Sequence, residues 1–130
     1  MESIVNWLQT FPLWTGSVTV DSLQTKTDSC GIYPLGIRVL ARKADILGNG
    51  KLRLESRYQL RRTVALNQDN GSHAQWLQQL QEWVLEQSRL GQAPELGENT
   101  QWSARDGKLE KDRRPGVGLY TLTLVAEYIK

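Results

Sequence analysis

The sequence predicts a single α+β domain over residues 1–130, with helices packed on one face of an antiparallel β-sheet. Long stretches alternate apolar and polar residues, which is typical of half-buried strands, and one stretch repeats apolar residues at helical spacing. The predicted order of elements is α-β-β-β-α-β-β. A chain of 130 residues suits one hydrophobic core, and no internal repeat divides it.

The N-terminal segment is predicted to form a short helix over residues 2–11. Its apolar residues recur at helical spacing and share one face: Ile4, Val5, Trp7, Leu8 and Phe11. Pro12 ends the helix, because proline disfavours helical geometry at the preceding residue. A brief strand follows, with Val18 and Val20 on one side.

The next two strands are predicted to flank a turn at residues 48–50, whose Gly-Asn-Gly sequence tolerates positive φ. In the first strand the apolar residues take the odd positions: Tyr33, Leu35, Ile37, Val39 and Ala41. Arg38 and Arg42 would then share the opposite face. The second strand, over residues 51–66, has a mostly apolar even-numbered face and a polar odd-numbered face. Arg62 interrupts the apolar face and predicts a bulge or the rim of the sheet.

The clearest helical pattern covers residues 72–90. Its apolar face consists of Trp76, Leu77, Leu80, Trp83 and Val84. Ser72 is predicted as the N-cap, Gly91 as the left-handed residue that closes the helix, and Pro94 as the stop. A hairpin follows, with Trp102 in its first strand and residues 119–129 in its second. The polar, glycine-rich residues 105–118 between these strands are predicted to form a mobile loop.

The residue types that build enzyme sites are sparse. Cys30 is the one cysteine and His73 the one histidine, so a zinc site of cysteines and histidines cannot be assembled. No Ser-His-Asp or Cys-His pairing and no complete phosphate-binding loop stands out. The sequence therefore predicts no catalytic, cofactor-binding or metal-binding residues, and no enzyme. No apolar run approaches the roughly 20 residues that a membrane span needs, so no membrane partner is expected.

One strand concentrates positive charge on its polar face, although the net charge of the chain is only +2. Because strand side chains alternate with period two, four basic residues project together: Lys51, Arg53, Arg57 and Arg61. Arg38 and Arg42 would lie nearby on the preceding strand. Two interpretations remain open: a solvated face that keeps sheet edges from pairing wrongly, or a surface for DNA phosphates or an acidic partner. No aromatic residues interleave with these charges, which argues against a stacking groove for single strands.

Three stretches resemble a family of small phage and prophage proteins: YPLGIRVLARKADILGNGKLRLESRYQLRR, WLQQLQEWVLEQSRLGQAPELGENTQ and GLYTLTLVAEY. In that family a helix ends with the pattern W-x-x-x-Q-x-x-x-G-x-x-P-x-L-G. Six residues match it: Trp83, Gln87, Gly91, Pro94, Leu96 and Gly97. The resemblance covers residues 4–128, and it is to minor capsid or tail-completion proteins of tailed phages that infect Gram-positive bacteria.

The resemblance implies a structural virion protein, a tail terminator or head–tail joining subunit, with no catalytic residues and no cofactor. Its partners would be other phage head or tail proteins and further copies of itself, in a homo-oligomeric ring through which DNA passes. The basic strand would make non-specific contact with that DNA, and residues 91–101 and the last hairpin loop would contact neighbours. The protein would be located in the virion, and in the cytoplasm of the bacterial host during assembly. The alternative, from the basic strand, is a small nucleic-acid-binding or regulatory binding module.

Overall fold

The computed structural model describes residues 1–14, 16, 18–21, 29–44, 50–65, 70–111 and 116–130. Over these residues the elements are α1 (Glu2–Leu8), β1 (Val18–Val20), β2 (Cys30–Ala44), β3 (Gly50–Ala65), α2 (Asn70–Arg89), β4 (Glu98–Lys111) and β5 (Val117–Ile129). This order confirms the predicted succession of helices and strands. The predicted turn at residues 48–50 falls largely outside the described residues.

The strands form one five-stranded sheet in the order β1-β2-β3-β5-β4. The strands β2, β3, β5 and β4 pair antiparallel, whereas β1 runs parallel to β2, from Val18 opposite Cys30 to Val20 opposite Ile32. The α+β class is therefore confirmed, but the sheet is mixed and not wholly antiparallel. Beyond Ile32, β2 pairs only with β3 within the described chain.

The core lies between the two helices and one face of the sheet. Its largest fully buried apolar side chains are Ile4, Leu8, Ile32, Leu60, Val64, Leu80, Val84, Leu122 and Leu124. Trp7 of α1 joins the layers, because its ring centroid lies 5.2 Å from that of Trp83 and 5.1 Å from that of Trp102. Aromatic contacts at such distances stabilise a core beyond the burial of area. The predicted packing of the apolar faces of α2 and β5 is confirmed, with Trp83 partly buried.

The apolar alternation predicted for β2 fails, because two bulges change the face that each residue takes. Tyr33 points away from the helices. After the extra residue Leu35, the side chains of Ile37 and Val39 lie on the helix side of the sheet. Gly36 has a φ of +101°, a conformation that glycine adopts at little cost, and such a residue suits a bulge. The odd-numbered apolar residues of this strand are therefore split between its two faces, with Tyr33 and Ala41 on one side and Ile37 and Val39 on the other.

The first helix ends at Leu8, earlier than the predicted residues 2–11. Tight turns continue the chain, since the Thr10 N–H donates to the Trp7 carbonyl at 3.0 Å and the Phe11 N–H donates to the Leu8 carbonyl at 3.1 Å. Phe11 is buried and its ring lies 5.4 Å from that of Trp83. The residue thus reaches the core as predicted, although it lies outside the helix.

The second helix begins before Ser72, so the prediction of Ser72 as its N-cap is wrong. Its C-terminus is as predicted, because Gly91 has a φ of +70° and its N–H donates to the Ser88 carbonyl at 3.2 Å. The Gln92 N–H donates to the Gln87 carbonyl at 2.9 Å. These two hydrogen bonds form a Schellman motif, which satisfies carbonyls that the last helical turn leaves open.

The segment after α2 is held by its own chain. Thr100 Oγ1 accepts hydrogen bonds from the N–H groups of Leu96 and Gly97, at 3.1 and 3.2 Å. The indole of Trp102 donates to the Pro94 carbonyl at 2.8 Å. Residues of the matched pattern thus close α2 and pack the following segment against its own chain.

The prediction of a mobile loop over residues 105–118 is wrong for residues 105–111 and 117–118, which lie in strands. β4 continues to Lys111 and β5 begins at Val117; residues 112–115 lie outside the described residues. A bulge between Arg105 and Lys108 accommodates Asp106, whose φ is +59°. The charged residues of this stretch suit an edge strand, where charge discourages pairing with other chains.

Arg62 marks neither a bulge nor an exposed rim. It lies in regular register opposite Cys30 and Tyr120, and it is buried on the helix side of the sheet. Its guanidinium carbon lies 4.0 Å from the ring centroid of Trp76, a cation–π contact. The ring of Trp14 lies 5.5 Å from that of Trp76, so Trp14 belongs to the margin of the core.

Two tyrosines are expected to make the protein less stable at alkaline pH. Burial raises the pKa of the Tyr120 phenol, and it raises the pKa of Tyr58 against the opposing effect of a hydrogen bond with Ser56. The folded protein holds these protons more tightly, so the free energy of unfolding should be unaffected below about pH 10 and fall above it. Urea unfolding between pH 8 and pH 11 measures this, and Tyr120→Phe should reduce the fall. An identical fall in Tyr120→Phe would contradict a role for this phenol.

Candidate binding face of the sheet

We call the side of the sheet that points away from α1 and α2 the open face. It carries the odd-numbered residues of β3 and the residues opposite them on β2, β4 and β5. Among the side chains that the structure describes, seven basic ones lie on this face: Arg38, Lys51, Arg53, Arg57, Arg61, Arg105 and Lys108. Four acidic ones accompany them: Glu55, Glu98, Asp106 and Glu127. The open face is therefore cationic.

The four basic residues predicted from β3 all lie on the open face, and each already has a partner within the chain. Lys51 Nζ lies 3.2 Å from a carboxylate oxygen of Glu98, and Arg53 Nη2 lies 2.9 Å from one of Glu127. Ion pairs exposed to this degree contribute only about 0–1 kcal/mol, so they orient the side chains more than they stabilise the fold. An arginine has five N–H donors, and one carboxylate leaves several for a further ligand.

Arg61 lies against the sheet near the C-terminal end of β3, far from Lys51. Its Nε donates to Gln59 Oε1 at 2.7 Å, and its guanidinium carbon lies 4.7 Å from the ring centroid of Tyr33. A guanidinium that stacks on a ring keeps its in-plane donors directed outward. Arg61 can therefore present N–H groups to a ligand without a new side-chain conformation.

Three arginines from three strands converge on one buried carboxylate, that of Glu55. The Glu55 Oε2 accepts from Arg38 Nη2 at 3.4 Å, while its Oε1 lies 3.8 Å from Arg57 Nε and 3.9 Å from Arg105 Nη2. The Glu55 side chain is 5% exposed, whereas those of the arginines are 41% to 65% exposed. The single negative charge of Glu55 thus lies among three positive charges. The cluster has an excess of positive charge, which the exposed arginines present to solvent.

Sequence reasoning missed part of this face. Arg105 and Lys108 were expected in a mobile loop, and only the pairing of β4 with β5 brings them beside the basic strand. Arg38 lies near that strand as predicted. Arg42 does not, because the second bulge of β2 places it opposite Leu52 on the helix side.

A polar pocket of about 440 Å³ opens on the same face where β4 bulges. Six residues line it: Gln59, Asp106, Gly107, Lys108, Thr121 and Thr123. Thr121 is 4% exposed, and its Oγ1 is buried without a hydrogen-bond partner in the described part of the chain. Buried polar groups are nearly always paired, so an unpaired hydroxyl on a residue that lines a pocket is a group that a ligand could use.

Cys30 and His73, the residue types most often used in enzyme sites, do not form a second site with other described residues. Cys30 is buried, and His73 Nε2 lies 3.1 Å from the Ala65 carbonyl oxygen. In the described residues, no group of three or more His, Cys, Asp and Glu side chains is arranged to hold a metal ion. No helix in the described ranges has the length and apolar character that a bilayer crossing requires.

Comparison with protein-family models and with curated proteins does not assign a function to this chain. No protein-family model matches the chain, and no curated protein matches it.

Proposed function

We propose that this protein is a structural subunit of a tailed phage or prophage particle, a minor capsid or tail-completion protein of the tail terminator or head–tail joining type. The observation that carries the proposal is the cationic open face, which spans four strands and has no described helix packed on it. The resemblance over residues 4–128 supports the same conclusion. A location in the virion, and in the host cytoplasm during assembly, belongs to this proposal.

In a homo-oligomeric ring with this face turned inward, positive charge would line the bore through which DNA passes. Contacts to phosphates carry no sequence information, so any DNA could pass. The ion pairs of Lys51 and Arg53 reduce the charge that the face presents. The expected interaction is therefore weak and strongly dependent on salt, which suits a molecule that must move.

The far half of β2 offers a second surface, suited to contacts between proteins. Four of its apolar side chains are exposed: Leu35, Ile37, Val39 and Leu40. Beyond Ile32 the outer edge of this strand has no neighbouring strand in the described chain. Exposed apolar side chains along an open strand edge are typical of surfaces that bind another protein. This surface would contact further copies of the chain or other phage head or tail proteins.

Replacing Arg53 and Arg61 together by glutamine is expected to weaken the binding of a short DNA duplex. The slope of log K against log salt should fall by about 1 to 2, because each phosphate contact contributes about 0.9 to that slope. The matched control is Arg42→Gln with Arg89→Gln, which removes two positive charges from outside the open face. Equal effects of the two pairs would show that only net charge matters, and would contradict a binding role for this face.

Two measurements test the assembly role: the mass of the protein in solution and the protein composition of purified phage particles. Light scattering should detect a ring of several subunits, either alone or after mixing with phage head or tail proteins, and purified particles should contain the chain. The alternative, a small nucleic-acid-binding or regulatory module, is favoured by the same cationic face. It predicts a monomer that binds DNA and is missing from particles, so these two measurements separate the proposals.

A further inference from the structure

We propose that the polar pocket on the open face seats one phosphate group of the DNA backbone. The donors would be the hydroxyls of Thr121 and Thr123, the amide of Gln59 and the ammonium of Lys108. All four residues line the pocket. This inference rests on the proposed function, because it names one anchoring point within the cationic face that would contact DNA.

The strand register brings these donors together from three strands. On the open face Thr121 of β5 lies opposite Arg61 of β3 and opposite Lys108 of β4. One step along the sheet, Thr123 lies opposite Gln59. Directly opposed residues on neighbouring strands have side chains about 5 Å apart, so groups on the three strands can reach a single oxyanion.

The strongest sign of a ligand is the hydroxyl of Thr121. Threonine at a buried position of a sheet face is unfavourable when its hydroxyl has no partner, and valine would fill the same space without that cost. Within the described chain no group accepts from or donates to Thr121 Oγ1. A phosphate oxygen in the pocket would accept its proton, and a hydrogen bond to a charged acceptor is stronger than one between neutral groups.

The amide of Gln59 is already oriented for an anion. Arg61 Nε donates to Gln59 Oε1 at 2.7 Å, which occupies the amide oxygen and fixes the side chain. The amide nitrogen carries two donors and no acceptor, so it favours an oxyanion. Asp106 is the one carboxylate on the wall, and its Oδ2 lies 3.9 Å from Arg105 Nε, which offsets part of its negative charge.

A phosphate fits this donor set better than a carboxylate of an acidic protein. A phosphodiester presents several oxygens in a tetrahedral arrangement and can accept from donors on three strands, whereas a carboxylate presents two oxygens in one plane. Further cationic residues follow along β3 from the pocket, first Arg57 and then Arg53. Such an array matches a polymer with regularly repeated negative charge.

The test is Thr121→Val, with binding of a short DNA duplex measured over a range of salt. We expect the affinity to fall about ten- to a hundredfold, because one hydrogen bond to a charged group is lost. The salt slope should stay the same, since no cation is removed, and the protein should unfold no more easily than the wild type. Lys108→Gln should lower both the affinity and, by about one, the slope. Ser103→Ala removes a hydroxyl from the same face outside the pocket and should change neither.

Inorganic phosphate separates this proposal from the proposed function. It should shift the amide resonances of Thr121 and Thr123 in the wild type and not in Thr121→Val. If phosphate does so but the duplex does not bind, the pocket takes phosphate from another source and the DNA contact fails. If Thr121→Val binds the duplex like the wild type, or phosphate shifts nothing, the proposal is overturned. Binding of polyglutamate that is tighter than that of the duplex and depends on Thr121 would overturn it in favour of an acidic protein.

Discussion

Replacing Trp102 by alanine is expected to lower the free energy of unfolding by about 3–5 kcal/mol, the loss typical of a large aromatic side chain in a core. Trp102 is 3% exposed, and its ring centroid lies 5.1 Å from that of Trp7 and 5.9 Å from that of Tyr58. The variant would leave a cavity where α1 meets the sheet. The variant would also lose the 2.8 Å hydrogen bond from the indole N–H of Trp102 to the Pro94 carbonyl.

Urea unfolding followed by circular dichroism measures this loss, and two variants serve as controls. Trp102→Phe keeps an aromatic ring and loses only the hydrogen bond and part of the volume, so its effect should be smaller. Leu109→Ala truncates an exposed apolar residue of the same strand and should change little. If Trp102→Ala cost no more than Leu109→Ala, the layered aromatic core would be wrong.

The sequence predicted best those elements whose periodicity runs without a break. In α2 the apolar residues keep helical spacing from Trp76 to Val84. In β5 every even-numbered residue from Tyr120 to Tyr128 is apolar, so each pattern identifies one face although Val125 is also apolar. Bulges remove that regularity in β2 and β4. The local sequence signals of the first bulge were Pro34, which cannot donate a ladder hydrogen bond, and Gly36, a residue type that accepts the positive φ found there. The Asp106–Gly107 pair is typical of turns and also of bulges, so the sequence did not distinguish a loop from a bulge in β4.

The candidate site could be predicted only in part, for a related reason. Alternation within β3 was enough to place Arg53 and Arg57 on one face. The cluster of three arginines around Glu55 was not foreseeable, because it includes Arg105, a residue that only the pairing of separate strands brings near. Thr121 offered no signal at all, since threonine is common in strands and an unpaired hydroxyl becomes visible only when its neighbours are known.

The pattern that suggested a phage protein contains two glycines with different physical requirements. Gly91 needs its backbone conformation, a φ of +70° at the end of α2, and a Cβ there would meet no atom within 4 Å. At Gly97 the requirement is the absence of a side chain. A Cβ at that position would lie 2.5 Å from the Ile129 carbonyl oxygen and 2.8 Å from Tyr128 Cδ2. The first site thus tests backbone strain and the second tests close packing.

Gly97→Ala is therefore expected to lower the free energy of unfolding by about 3 kcal/mol, at the upper end of the range for overpacking. The carbonyl oxygen that it meets belongs to the backbone of β5 and cannot turn aside like the end of a flexible side chain. Gly91→Ala is the matched control, and its left-handed conformation should cost only about 1–2 kcal/mol. Urea unfolding of both variants measures the difference. A loss at Gly97 no larger than that at Gly91 would mean that the segment after α2 can move away from β5, and that the glycine is not required by close packing.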